Sequence, residues 1–255
     1  MLDPRLFTHR VLGAGSLTVF VQFFAFYGFI FLILQYLQIV RGDSALIAAV
    51  SMLPMAATMM PTARLAPTLT ARFGSRWMCA AGLLIIAAAL TVIAQVSHTS
   101  PYWLLATGVL VLGVGMGCAM TPATSNITAA LPSAKQGVAS AINDLSREVG
   151  GAIGIAVIGS VMTAIYRSHL TVPGVPAGVL GQARDSVAVA AHIGGPVAAK
   201  ADTAFIDGVH IALYTAAGAA ALAAIVVFLL LSRHTSTPTT ASISHHVAPK
   251  VEVPA

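Results

Sequence analysis

Between Gln136 and Met162 the chain reads QGVASAINDLSREVGGAIGIAVIGSVM, so Asn143, Asp144, Arg147 and Glu148 run directly into an apolar stretch. Placing a charge in hydrocarbon costs roughly 2.5 to 3.5 kcal/mol by insertion scales, so such groups face a bundle interior, an aqueous path or the membrane edge. Asp144 and Glu148 stand one helical turn apart, with Arg147 three residues after Asp144. A carboxylate held partly away from water takes up a proton more readily, which is the chemistry that couples proton flow to the movement of a solute. The cluster also follows closely on Lys135, which puts it at the end of a span. There Arg147 would pair with a carboxylate or a lipid phosphate, and the group would anchor or gate the helix. Proton carriage and gating both stay open for Asp144, Arg147 and Glu148.

A second set of polar residues suits binding rather than proton transfer. Gln22, Gln35 and Gln38 share one apolar stretch with Phe23, Tyr27 and Phe31. At about 100° per residue the three aromatics fall on one stripe, which Gln35 and Gln38 continue. Such a face offers aromatic surface and hydrogen bonds to an amphiphilic small molecule. Alternatively the aromatics face lipid or a neighbouring helix, and the glutamines sit at the interface. Further along, Thr121, Ser125 and Asn126 follow a helix-bending Pro122 and either line a polar mouth or cap the helix. The candidate pathway residues are therefore Gln22, Tyr27, Gln35, Gln38, Asn126 and Asn143.

Other chemistries are poorly served. Gly113-x-Gly115-x-Gly117 lies inside an apolar run, where small residues let helices approach, and not in the strand-to-helix turn that cradles a dinucleotide. Cys79 and Cys118 fall in apolar runs without metal-like spacing, and His245-His246 has no further ligands, so no cofactor or metal is expected. Ser160 follows a glycine but lacks a nucleophile elbow or an in-membrane His, which argues against an enzyme. No span carries a ring-forming filter sequence, which argues against a channel.

The elements that must position these residues follow from composition. Of 255 residues, 57% are hydrophobic and 8% charged, with a mean hydropathy of +0.88. An ordinary soluble domain is about 25% charged. The expected fold is an all-α polytopic membrane protein of six transmembrane helices, at about 12–39, 44–64, 77–96, 102–124, 138–164 and 207–231. The net charge of +5 is thinly scattered, which speaks for topology and against nucleic acid. Nine basic residues, among them Arg64, Arg72, Arg76 and Lys135, fall on the side of the termini, and Arg41, Arg167, Arg184 and Lys200 fall opposite. That asymmetry predicts cytoplasmic termini in a cell (inner) membrane, one long external loop at 167–206 with a short surface helix over Asp185 to Lys200, and a disordered cytoplasmic tail at 233–255. Asp207 is expected to cap the last span, with His210 one turn on.

Between the second and third spans stands RLAPTLTARFGSRW, a tight turn in which Arg72, Gly74 and Arg76 resemble the second-half copy of the cytoplasmic loop motif of the major facilitator superfamily, without that motif's acidic residue. LDPRLFTHR, LQIVRGDSALIAAVSMLP, MTPATSNITAALPSAKQGVASAINDLSREVGGAIGIAVIGSV and AFIDGVHIALYTAAGAAALAA resemble, in order, that superfamily's fourteen-span drug:proton antiporters of the EmrB/QacA type. The match spans residues 1 to about 232 and concerns the carboxyl-terminal bundle alone. This resemblance implies one six-helix bundle of a major facilitator fold and multidrug efflux by alternating access. It also implies, as partners, the lipid bilayer, an amphiphilic substrate, protons and an amino-terminal transporter bundle, which carries the family's antiporter motif. Met1 would then start a fragment, a truncated reading frame or a half-size protein. The alternative is a non-transporting membrane component or a degenerate fragment.

Overall fold

The computed structural model describes residues 10–232. The expectations for LDPRLFTHR, for the tail and for His245-His246 lie outside the described residues. Nine α-helices are present among them: α1 (Arg10–Gln35), extended by a π-helical turn over Tyr36–Val40, then α2 (Ala45–Val50), α3 (Leu53–Phe73), α4 (Ser75–Ile93), α5 (Tyr102–Ala129), α6 (Gln136–His169), α7 (Ala177–Asp185), α8 (Val187–Ile193) and α9 (Gly195–Ser232). Six helical stretches are long and apolar enough to cross a membrane, one for each expected span.

Helix α1 packs against α5, α6 and α9, while α4 fills the space between α5 and α9. Helix α3 leans mainly on α5. Only 11% of the apolar window of α3 is buried and 33% of that of α6, against 61% for α1, so those two spans carry the most uncovered surface.

The crossings are built on glycine. Without a solvent-driven hydrophobic effect between helices, close backbone approach is what holds spans together. Gly150 and Gly154 of α6 sit against the backbone of Phe20 and Phe24 in α1, and Gly113 and Gly117 of α5 sit against Met55 and Met59 in α3. Gly15 of α1 meets the Ala123 carbonyl of α5 in the same way.

Two helix ends reach furthest past the expected spans. Helix α3 passes through Pro61 and Pro67 and ends at Phe73, beyond residue 64. Pro67 has no N–H for the Ala63 carbonyl. The Thr121 hydroxyl of α5 donates to that carbonyl at 3.5 Å instead. What stops the helix is Gly74, at φ +83, where nothing but the backbone conformation demands glycine.

Helix α9 starts at Gly195, twelve residues before the expected 207, because Ala-rich sequence carries it outward past Lys200 and Asp202. Asp207 is therefore mid-helix and does not cap: its Oδ2 meets His169 Nδ1 of α6 at 3.0 Å. His210 Nε2 lies 2.7 Å from the Val96 carbonyl beyond α4. In place of one surface helix over Asp185 to Lys200 there are two short ones, because Ser186 is extended at φ −154 and caps α8 by accepting from Val189 N. The connector is stapled down. Tyr166 donates to the Ala183 carbonyl at 2.7 Å, Arg184 to the Leu170 carbonyl at 3.0 Å and Arg167 to Asp185 at 2.9 Å.

Candidate functional site

Of the residues singled out in the sequence, the seam between α1 and α6 brings together Tyr27, Gln35 and Arg147. Gly150, Gly151 and Gly154 remove side chains from one ridge of α6, so the aromatic stripe of α1 lies directly against it, with the Tyr27 ring on Gly151. Phe23, Phe26 and Tyr27 form a cluster with ring centroids 5.5 to 6.3 Å apart, two of the pairs edge to face. That geometry suits ring quadrupoles.

Arg147 lies over this cluster, its guanidinium carbon 4.9 Å from the Phe23 ring centre. The carboxylate partner considered for Arg147 is absent: among the described residues no acidic group lies within ion-pair distance, and Asp144 and Glu148 are exposed. Arg147 Nε is buried without a partner. The aromatic face takes the place of a counter-ion because α6 turns its arginine inward and both carboxylates outward.

Three candidate pathway residues tie helices together. Gln22 is fully buried and donates to the Met116 carbonyl of α5 at 2.9 Å, leaving its Oε1 unpartnered. Asn126 accepts from Ser75 at 2.8 Å and so binds α5 to α4. Asn143, 9% exposed, accepts from Thr124 at 3.2 Å and binds α6 to α5. Tyr27 and Gln35 are half-buried at the α1–α6 seam and Gln38 is exposed, with Gln35 donating to the Phe31 carbonyl at 3.2 Å.

Above the aromatic cluster the seam opens into a cleft of about 480 Å³, bounded by Phe31, Ile155, Gly159, Ser160, Thr163 and Arg167. A smaller space of about 240 Å³, sharing Thr163, reaches Gln35 and Arg184. Ser160 donates to its own helix at the Ala156 carbonyl, and no His, Asp or Glu lines the cleft. It offers aromatic and aliphatic surface, two hydroxyls and a guanidinium already engaged by Asp185. The sequence reading missed Ser160, Thr163 and Arg167 as a set. Their spacing of three and four residues, which places them on one face of a helix, is the signal that could have found them.

The loop motif separates: Arg72 is exposed in the last turn of α3, whereas Arg76 turns onto α4 and α9 with its guanidinium carbon 3.6 Å from the Phe228 ring centre. Among the described residues no group of three or more His, Cys, Asp or Glu could hold a metal.

A profile of the Major Facilitator Superfamily matches residues 3–155. The chain belongs to that superfamily. The multidrug efflux pump LfrA of Mycolicibacterium smegmatis is 31% identical over 233 residues, covering 91% of the chain and 46% of the pump. The multidrug resistance protein Stp of Mycobacterium tuberculosis is 33% identical over 247 residues, covering 90% of the chain and 45% of that protein. The chain thus spans about half the length of the curated relatives it matches. A bacterial homologue of the human lysosomal transporter Spinster, solved inward-facing and unoccupied, superposes with a TM-score of 0.70 at 19% identity, covering 89% of the chain and 48% of the homologue. The six-helix bundle is therefore one bundle of a major facilitator fold.

Proposed function

We propose that this bundle is the carboxyl-terminal half of a multidrug drug:proton antiporter, working by alternating access against an amino-terminal bundle in a cell (inner) membrane with both termini cytoplasmic. The observation that carries the reading is the α1–α6 seam: an aromatic cluster beneath a cleft of about 480 Å³, beside α6, a span that keeps most of its apolar surface uncovered. An amphiphile fits that combination, with rings against Phe31 and polar atoms toward Ser160 and Thr163. Tyr27, Gln35 and Gln38 extend the wall. Gln22, Asn126 and Asn143 serve it from behind, by holding α1, α4, α5 and α6 in register. Asp144, Arg147 and Glu148 lie at the other end of α6 and act as the gate, the exposed carboxylates turning to the facing bundle and Arg147 locking onto Phe23. Gly74 makes the cytoplasmic turn between Arg72, at the end of α3, and Arg76, at the start of α4. The efflux names of LfrA and Stp support the substrate class.

The test is transport with and without a complementary half. Expressed by itself in a pump-deficient host, the chain should give no drug resistance. Co-expressed with an amino-terminal bundle from a related pump, it should restore efflux of a cationic dye, abolished by a protonophore. Bundles that associate without moving dye would instead establish a non-transporting membrane component.

A further inference from the structure

Away from the α1–α6 seam, α4 and α9 form a second groove, of about 320 Å³ and wholly apolar, that shares no residue with the cleft. The alanines Ala80, Ala81 and Ala224 line it together with Trp77, Leu84, Ile225 and Phe228. On α4 the residues Trp77, Ala81 and Leu84 step along one face, so the trough follows the helix axis for about 10 Å. It is shaped for a linear hydrocarbon chain lying along the bundle.

One end of the trough is charged. Arg76 precedes Trp77, and its guanidinium stacks on the Phe228 ring with the carbon 3.6 Å from the ring centre. Trp77 crosses the same ring edge to face at 4.8 Å. Among the described residues Arg76 has no carboxylate in ion-pair range, and its Nε is buried without a hydrogen-bond partner. The stack fixes the plane of the guanidinium, which leaves its donors ordered and unspent. Trp77 and the nearby end of α3, with its exposed Arg72, mark this as the level of the membrane–water interface.

We propose that the α4–α9 groove is a binding site for an anionic phospholipid, with one acyl chain in the trough and the phosphate on Arg76. A planar guanidinium presents two parallel donors that match phosphate oxygens. A headgroup with its own ammonium would compete for that phosphate, so an uncompensated negative headgroup is preferred. This inference rests on the membrane fold and is independent of transport.

The test uses the full chain with Trp103→Phe, which leaves Trp77 as the reporter of the two tryptophans. In lipid nanodiscs, quenching of Trp77 is titrated with brominated phosphatidylglycerol and separately with brominated phosphatidylcholine. An arginine near a charged lipid surface is expected to favour phosphatidylglycerol by about five-fold in relative association. Arg76→Gln should bring the ratio close to one while quenching by both lipids persists, and Arg76→Lys should retain part of the preference. Raising the salt should lower the ratio in the parent chain, an arm that needs no change at Arg76. A parent ratio of one, a ratio that salt leaves untouched, or an equal preference in Arg76→Gln would each overturn the proposal.

Discussion

Replacing Gly154 by alanine should be among the costliest single methyl additions on α6. A Cβ at that position would stand 2.8 Å from Phe24 Cα and 2.9 Å from its carbonyl carbon, with the carbonyl oxygen closer still, whereas ordinary contact begins at 3.4 Å. These are backbone atoms, so no rotamer change relieves them. Helices α1 and α6 must move apart by about 1 Å, and a gap of that size forfeits up to half of each dispersion contact along the seam. The expected loss is about 1 to 3 kcal/mol, typical of overpacking a filled interface. Gly150→Ala presses on Phe20 one turn away and should cost a similar amount. A single separation of the two helices accommodates both methyls, so the double variant should fall short of the sum by about 1 kcal/mol. Gly159→Ala meets the ring of a partly exposed Phe31 at 3.1 Å, and Gly218→Ala meets nothing within 4 Å. Both should stay within about 0.5 kcal/mol of the parent. The assay is reversible SDS titration in mixed micelles, followed by helical circular dichroism. Equal stability of Gly154→Ala and Gly218→Ala would refute the idea that glycine-mediated approach holds α1 to α6.

Gly74→Ala has free space for its methyl but forces a side chain into φ +83 and ψ 152, so it should destabilise by about 1 to 3 kcal/mol in the same titration and loosen the α3–α4 turn to protease. Tyr166→Phe removes the donor to the Ala183 carbonyl; hydrogen exchange across residues 170–194 should accelerate, with a global cost of about 1 kcal/mol. Gln22→Leu removes one interhelical bond together with an unpartnered buried oxygen, so its net effect should be under about 1 kcal/mol, and a loss several times larger would mean that Gln22 does more than tie α1 to α5.

Which segments cross the membrane was legible from run length and hydropathy, and the packing role of Gly113 and Gly117 was legible from spacing, because both properties are carried by the segment itself. Rotation of each helix about its axis was not. The polar residues of α1 and α5 interrupt faces that are apolar all round, so no periodicity says whether Gln22 or Asn126 points inward or toward a cavity. Their directions are set by acceptors and donors on other helices, Met116 and Ser75, which no local window contains. The early start of α9 escaped for a related reason. Lys200 and Asp202 read as a loop on hydropathy and Asp207 as the cap of the span, although alanine-rich helix extends readily beyond the bilayer into water. The cleft was partly visible, since Phe31 was placed on the aromatic stripe, but its hydroxyl side belongs to α6 and appears only when the two helices are paired.

The stapled connector offers a practical handle. Tyr166, Arg167 and Arg184 fasten it near its first turn and around Ala183 and Asp185, while Gly174 between them is exposed and has open space around its α-carbon. An epitope or cysteine label spliced at Gly174 would hang from two fixed posts without tugging on any span, so antibody access in intact cells against permeabilised ones would read out the sidedness of the chain directly.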